Sequence, residues 1–415
     1  MHDTLFHWHP DCRLRAPEAP GALLRDLRAA LTEGAGFSIG PEGIARLPEA
    51  AQGILQSRSS GTTGAAKAIR RTHGSWIASF RVNAAALGIT SGDVYAVLGA
   101  PQHSLALYAI AEAAWLGADL LCLDDLRPAR QAAALHAEAA TVLYATPTQL
   151  RLLCAAGQGL PALRHILCGG GRMPEGLRAR IAALCPAAEL REFYGAAETS
   201  FIAWGDAVTL EGVVGRAYPG VEIRIDAPEG EFGEIWVRSP YLFEGYAEGA
   251  SADTRWQGGF LTVGEMGRLD AGGMLTVAGR RSRMVTIADR NVFPEDIEAL
   301  LLGDPGVRHC AVLPRPDPRR GVHLVAVVAG ACDAATSGAA HCPLPRRFRA
   351  ARGAAAGSSA SEDFPLTVSG KPDLRRDRPA AGGGSVSGVR VLAALRAPVA
   401  PRGGALSRLE LPELA

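Results

Sequence analysis

No two of the eight cysteines (Cys12, Cys122, Cys154, Cys168, Cys185, Cys310, Cys332, Cys342) form a Cys-x-x-Cys pair, and none clusters with histidine at zinc spacing. That excludes a zinc finger and a dense disulfide framework. Several sit in apolar runs, as Cys122 does in Leu120-Leu121-Cys122-Leu123, where a reduced thiol acts as a small hydrophobe. No apolar run approaches the ~18 residues of a membrane-spanning helix. Met1-His2-Asp3-Thr4 is not a basic-then-apolar signal region, so a cytoplasmic protein with no membrane partner is expected. Neither sign of charge is in excess: 43 Lys+Arg face 42 Asp+Glu, which gives no footprint for nucleic acid. What the chain has is apolar material, 48% of 415 residues, enough for a large core divided over more than one domain.

The most informative stretch is Ser57-Arg58-Ser59-Ser60-Gly61-Thr62-Thr63-Gly64-Ala65-Ala66-Lys67. Glycines admit an anion close to the backbone, hydroxyls and amides donate to it, and the lysine adds a mobile positive charge. The composition suits a phosphate, although a plain Ser/Gly/Thr surface loop would look the same. It is not a Walker loop: the glycines are three apart and Ala68 stands where the metal-binding hydroxyl belongs.

Downstream, short apolar runs alternate with helical stretches. Strands are expected at Val94 to Leu98, Leu120 to Leu123, Val142 to Ala145, His165 to Leu167 and Leu190 to Phe193. Helices are expected at His73 to Ala86, Leu105 to Trp115, Arg127 to Ala140, Thr148 to Ala155 and Glu175 to Leu184, preceded by an amphipathic one near Gly21 to Leu31. This predicts an α/β fold, a largely parallel sheet with helices on both faces and ligands at the carboxyl ends of its strands. The candidate motifs fall at such ends: Pro101-Gln102-His103-Ser104, Cys168-Gly169-Gly170-Gly171 and Tyr194-Gly195-Ala196-Ala197-Glu198-Thr199. A separate antiparallel region is expected around Gly212 to Gly220 and Gly233 to Arg238, with a hairpin over Arg268 to Arg280 turning at Asp270 to Gly273. Far along the chain, Phe364-Pro365-Leu366-Thr367-Val368-Ser369-Gly370-Lys371 places a lysine behind a flexible glycine.

Ser59 to Lys67 resemble the phosphate loop [ST]-S-G-[ST]-T-G-x-x-K of the adenylate-forming enzymes: acyl- and aryl-CoA ligases, peptide-synthetase adenylation domains and luciferases. Five motifs stand in that family's order, and the resemblance covers about Ser57 to Lys371. It implies that Ser59, Ser60, Gly61, Thr62, Thr63, Gly64 and Lys67 hold the β- and γ-phosphates of ATP. It further implies that His103 orients the substrate carboxylate and that Gly170 lines the acid and adenine pockets. Tyr194 and Gly195 would flank adenine, and Glu198 would hold Mg²⁺, an ion that favours hard oxygen ligands. Glu265 falls at the ribose-binding position, where the family has aspartate, and Arg280 lies near ribose and phosphate. Lys371 matches the lysine of L-P-x-T-x-x-G-K, which meets the acid and the α-phosphate. Ala197 replaces a threonine of the family box, with Thr199 the candidate to supply the missing hydroxyl, and Ser282 stands at the hinge position.

The implied protein is an ATP-dependent acid:CoA ligase using ATP, Mg²⁺ and CoA on a small-molecule carboxylic acid. The short segment before the loop resembles the compact 4-coumarate:CoA ligases, which makes 4-coumarate or a related aryl acid the expected substrate. A fatty acid, a downstream acceptor protein carrying the thiol, and a non-catalytic nucleotide binder are the alternatives. The implied domains are 1–281, with a shortened N-terminus, a small mobile lid over 282–377, and an irregular tail over 378–415. Residues 331–361 and the tail lack usable periodicity and read as disordered or frameshifted sequence.

Overall fold

The computed structural model describes residues 4–15, 21–58, 67–174, 176–206, 209–210, 212–287, 290–303, 307–317, 321–330 and 390–395. Its contacts divide the chain into two units, Met1–Val277 and Ala278–Ala415.

The first unit is built on an eight-stranded sheet. Its order is Leu14–Arg15, Asp119–Cys122, Val94–Val97, Val142–Ala145, His165–Cys168, Glu189–Ala196, Ser200–Trp204 and Arg216–Ala217. Pairing is parallel as far as Glu189–Ala196 and antiparallel beyond. Val94–Val97 and Val142–Ala145 are buried at every position, the pattern of strands covered on both faces. Tyr95, Val97 and Tyr144 join one core with residues of helices His73–Leu87 and Ser104–Leu116. Ala96, Leu143 and Ala145 face the other, with residues of helices Pro128–Ala137, Pro147–Ala156 and Leu177–Leu184. Local chemistry sets the helix ends. Thr72 caps His73–Leu87 by accepting from Ser75 N at 3.2 Å, Thr146 and Gln149 form a capping box, and Gly88, Gly117 and Gly157 end their helices in the left-handed conformation.

A second sheet runs Gly245–Glu248, Ala68–Thr72, Ile54–Arg58, Phe37–Gly40 and Gly43–Arg46. Its N-terminal strands are absent from the sequence reading, which finds one helix before the loop. The alternation was there to read, since Phe37 and Ile39 are buried and Ser38 between them is not. A third sheet joins Arg255–Gln257, Phe260–Thr262, Gly233–Arg238, Glu265–Leu269 and Leu275–Arg280, with Glu222–Asp226 on Gly233–Arg238. The hairpin expected over 268–280 turns where the sequence places it, because the Asp270 carboxylate accepts from Gly272 N and Met274 N at 2.9 and 2.8 Å.

In the second unit, helix Pro294–Leu302 and strands Val307–Asp317 and Gly321–Gly330 enclose a core of Leu301, Val307, Cys310, Val312, Leu324 and Ala326. Arg283 ties it together, donating to both carboxylate oxygens of Glu298 at 3.1 and 2.7 Å and to Val312 O at 3.1 Å. Arg390–Leu395 is a third strand, paired antiparallel to Gly321–Gly330. It falls within the irregular tail expected over 378–415, where six residues between low-complexity segments are too few to show a period. Among the described residues no helix is long and apolar enough to cross a membrane.

Candidate active site

The phosphate-loop residues Ser59, Ser60, Gly61, Thr62, Thr63 and Gly64 lie outside the described residues, but their frame does not. They connect Ile54–Arg58 to Ala68–Thr72, an antiparallel pair whose last register sets Arg58 against Ala68. Lys67 is therefore held at the mouth of a hairpin. On the far side of Ala68–Thr72 runs Gly245–Glu248, with Tyr246 opposite Ile69 and a bulge between Tyr246 and Glu248. Bulges re-aim side chains, and here the Tyr246 ring lies 5.7 Å from Lys67 Nζ. The Tyr246 hydroxyl donates to Glu198 Oε1 at 2.7 Å. One phenol thus joins the lysine that closes the loop to the carboxylate of the Tyr194–Thr199 box, two residues 131 positions apart in sequence.

Glu198 sits on the turn between Glu189–Ala196 and Ser200–Trp204, and several constraints fix that turn. The register shifts between Tyr194 and Gly195, and a Cβ on Gly195 would lie 1.9 Å from Ser200 O. Ser200 has φ +56°, an unfavourable conformation for a residue other than glycine. Its hydroxyl compensates by accepting from Arg71 at 2.7 Å and Trp76 Nε1 at 3.1 Å while donating to Tyr241 O at 3.1 Å. Arg71 is only 1% exposed and also donates to Ala197 O and, at 3.2 Å, to Tyr241 O. Phe243 N donates to Glu198 O at 2.8 Å. Burial depresses the Arg71 guanidinium to about 10, and the nearby Glu198 charge opposes the shift. It stays charged at neutral pH.

Arg71 and Tyr246, which hold the Glu198 turn and carboxylate, are the residues of this frame that sequence reading misses. Arg70-Arg71 looks like surface charge, yet successive strand residues face opposite ways. Arg70 pairs with exposed Glu244 at 2.8 Å while Arg71 enters the core. For Tyr246, the only signal is a strand pairing between distant segments.

Thr199, the candidate for the hydroxyl missing at Ala197, has its own hydroxyl engaged within the turn. It is 1% exposed, and its Oγ1 accepts from Ala196 N at 2.9 Å within the turn, so it holds the turn's shape. His103 is the half-buried residue just before helix Ser104–Leu116, at the carboxyl end of the Val94–Val97 strand. Gly170 adopts φ +82° beyond the end of His165–Cys168. The flat group against neighbouring Gly169 is Phe193, whose ring atoms lie 2.3 to 2.7 Å from where a Cβ would stand. Tyr194 is half-buried against a core that includes Ile69, Ile202 and Phe243. Glu265 begins the Glu265–Leu269 strand, and the preceding Gly264 (φ +76°) has Asp253 pressed against it, 2.7 Å from a built Cβ. Arg280 ends its strand exposed, in the second unit, with its backbone N–H on Glu295 Oε1 at 3.4 Å. Lys371 lies outside the described residues. The structure therefore brings Lys67, Tyr246 and Glu198 together and sets His103, Gly170 and Tyr194 at or near the carboxyl ends of strands in one sheet.

Among the described residues no three His, Cys, Asp or Glu side chains gather to hold a metal. Glu198 offers one hard carboxylate, joined through Tyr246 to Lys67, and among the described residues the hydrogen bond to its side chain is on Oε1. That donor set fits Mg²⁺, which is typically bound by one or two carboxylates with substrate phosphates and water.

Residues 58–247 match the family model described as AMP-binding enzyme. An uncharacterized acyl–CoA ligase of Bacillus subtilis (strain 168), YhfT, is 34% identical over 67% of this chain and 59% of its own length. The salicyl-AMP ligase / salicyl-S-ArCP synthetase of Mycobacterium tuberculosis is 30% identical over 76% of this chain and 59% of its own. Among solved structures, o-succinylbenzoate coenzyme A synthetase from Bacillus subtilis, in complex with ATP and magnesium ion, superposes with a TM-score of 0.59. It is 27% identical and covers 65% of this chain and 58% of that one. The chain spans less than two thirds of the length of these curated relatives.

Proposed function

Since the chain belongs to the AMP-binding enzyme family, we propose that it is an ATP-dependent carboxylic acid:CoA ligase acting through an acyl-adenylate. The observation that carries this reading is the junction of Lys67 and Glu198 through Tyr246. It joins a cation and a carboxylate through one phenol, and a metal-bound triphosphate calls on both kinds of charge. In the first half-reaction the substrate carboxylate attacks the α-phosphorus, the bond to the β-phosphate oxygen breaks, and pyrophosphate leaves. Lys67 and the loop hydroxyls orient the phosphates, His103 orients the acid, and Lys371 meets the charge developing at the α-phosphate. Glu198 would hold Mg²⁺, whose chemistry there would be to neutralise charge on the phosphate oxygens. In the second half-reaction the CoA thiol loses its proton to solvent, its sulfur attacks the acyl carbonyl, and AMP leaves. Tyr194, Gly195, Glu265 and Arg280 complete the nucleotide site in this reading, and residues 282–377 form the lid that carries Lys371.

The acid we propose is 4-coumarate or a related aryl acid. The ring-bearing acids named for two of the similar proteins favour it. A carrier-protein thiol in place of CoA is the second reading, favoured by the salicyl relative, whose similarity extends over 76% of the chain. The test is acid-dependent AMP release from ATP with Mg²⁺ and CoA, across cinnamic, benzoic and aliphatic acids. AMP with an aryl-CoA product is expected. Pyrophosphate exchange without thioester would move the acceptor to a carrier protein, and no AMP with any acid would end the ligase reading.

A further inference from the structure

We propose that Tyr246 is a positioning residue that holds the Glu198 carboxylate for the metal while its ring gives Lys67 a resting place when no phosphate is bound. This deepens the ligase reading and rests on its assignment of metal and phosphate to Glu198 and Lys67.

A phenol carries one proton. Tyr246 donates it to Glu198 Oε1 at 2.7 Å, so the 2.8 Å contact with Thr254 Oγ1 is donated by the threonine. A directional chain results: Thr254 to Tyr246 to Glu198. Rotation of the Glu198 side chain would break the last link, a bond to an ionised acceptor and hence among the stronger kind. With Oε1 occupied, Oε2 is the atom presented to a cation. The ring is held independently of the hydroxyl: it packs edge-on against Phe243 at 5.1 Å, and Phe243 N in turn holds the Glu198 backbone. The contact between ring and Lys67 is a weak cation–π attraction, which a triphosphate readily outcompetes. Hydroxyl and ring therefore serve different ligands, and substitution separates them.

The experiment uses the full chain with ATP or the non-hydrolysable analogue α,β-methylene-ATP. Mn²⁺ binding is followed by electron paramagnetic resonance, nucleotide binding in EDTA by titration, and folding by melting temperature. Tyr246→Phe is expected to weaken Mn²⁺ binding to the nucleotide-loaded protein about tenfold, the effect of one hydrogen bond to a charged group, with metal-free nucleotide affinity and melting temperature unchanged. Tyr246→Leu is expected to weaken Mn²⁺ binding as much and, in addition, to alter metal-free nucleotide affinity. Adding Tyr246→Phe to Glu198→Gln is expected to change Mn²⁺ binding no further. Unchanged Mn²⁺ affinity in Tyr246→Phe, or an equal loss in the Glu198→Gln background, overturns the proposal. If the wild-type protein releases AMP while Tyr246→Phe binds Mn²⁺ normally, the positioning role fails and the ligase reading stands. If Mn²⁺ binding depends on Tyr246 but no acid yields AMP, the ligase reading fails and the positioning role stands.

Discussion

Beside the nucleotide-site role proposed for it, Gly195 has a steric reason to be glycine. Its backbone passes so near Ser200 that a Cβ would lie 1.9 Å from that residue's carbonyl oxygen, closer than atoms can sit without moving the backbone. Gly195→Ala must open the turn or expel it, and Ser200, already at φ +56°, has no slack to absorb the strain. A loss of about 3 kcal/mol or more is expected, read as a lower urea midpoint, together with weaker Mn²⁺ binding because Glu198 rides on the same turn. Gly159 has open space where its Cβ would point, so Gly159→Ala is the control and should stay within about 0.5 kcal/mol. Equal loss in both variants would show that close packing is not what demands glycine at 195. The box in which sequence places this residue therefore also sits where two strands meet too closely for a side chain.

At the scale of elements, helix Ser104–Leu116 brings a charge into the core. Glu112 is fully buried and accepts from Tyr144 at 2.5 Å, Asn83 at 2.8 Å, Tyr95 at 3.1 Å and Tyr108 at 3.4 Å. Burial pushes its carboxyl up to about 7 from 4.5, against the pull of those four donors. The folded state then binds more protons than the unfolded one between these values. Stability from this group is intact below 4.5, falls as pH rises toward 7, and stays reduced above it. A displacement of that size is worth about 3 kcal/mol. Glu112→Gln keeps the shape without the charge, so it should melt several degrees above wild type at pH 8 and no higher at pH 4.5. The same difference at both pH values would rule out ionisation of Glu112 as the cause. The helix itself was legible, predicted over 105–115 and found at Ser104–Leu116, because helix and strand periods are local properties. The polar network was not, since it assembles from two helices and two strands whose order in space no local pattern encodes. The same distinction separates the parallel sheet, read nearly strand for strand, from the sheet that pairs Phe37–Gly40 with Ile54–Arg58 and Ala68–Thr72 with Gly245–Glu248.

Over the whole molecule the chain divides at Val277, with Lys67, Glu198 and Tyr246 in the first unit and Arg280 in the second. Motifs in order supplied the candidate site residues, while Arg71 and Tyr246, which hold the Glu198 turn and carboxylate in shape, carry no motif. Lys371, far along the second unit's sequence, is assigned in our reading to one half-reaction only. A cation aimed at charge that develops on the α-phosphate contributes to adenylation and has no counterpart when a thiolate attacks the finished adenylate. Lys371→Ala should therefore slow acid-dependent pyrophosphate exchange by about 100-fold or more, the cost of removing one donor to a developing oxyanion. Thioester formation from supplied acyl-adenylate and CoA should proceed near the wild-type rate. Glu198→Gln is the useful comparison, because it should impair the same half-reaction but show itself also in Mn²⁺ binding, which Lys371→Ala leaves intact. A Lys371→Ala protein slowed equally in both half-reactions would place the lysine in general substrate binding, and one slowed in neither would remove it from the site.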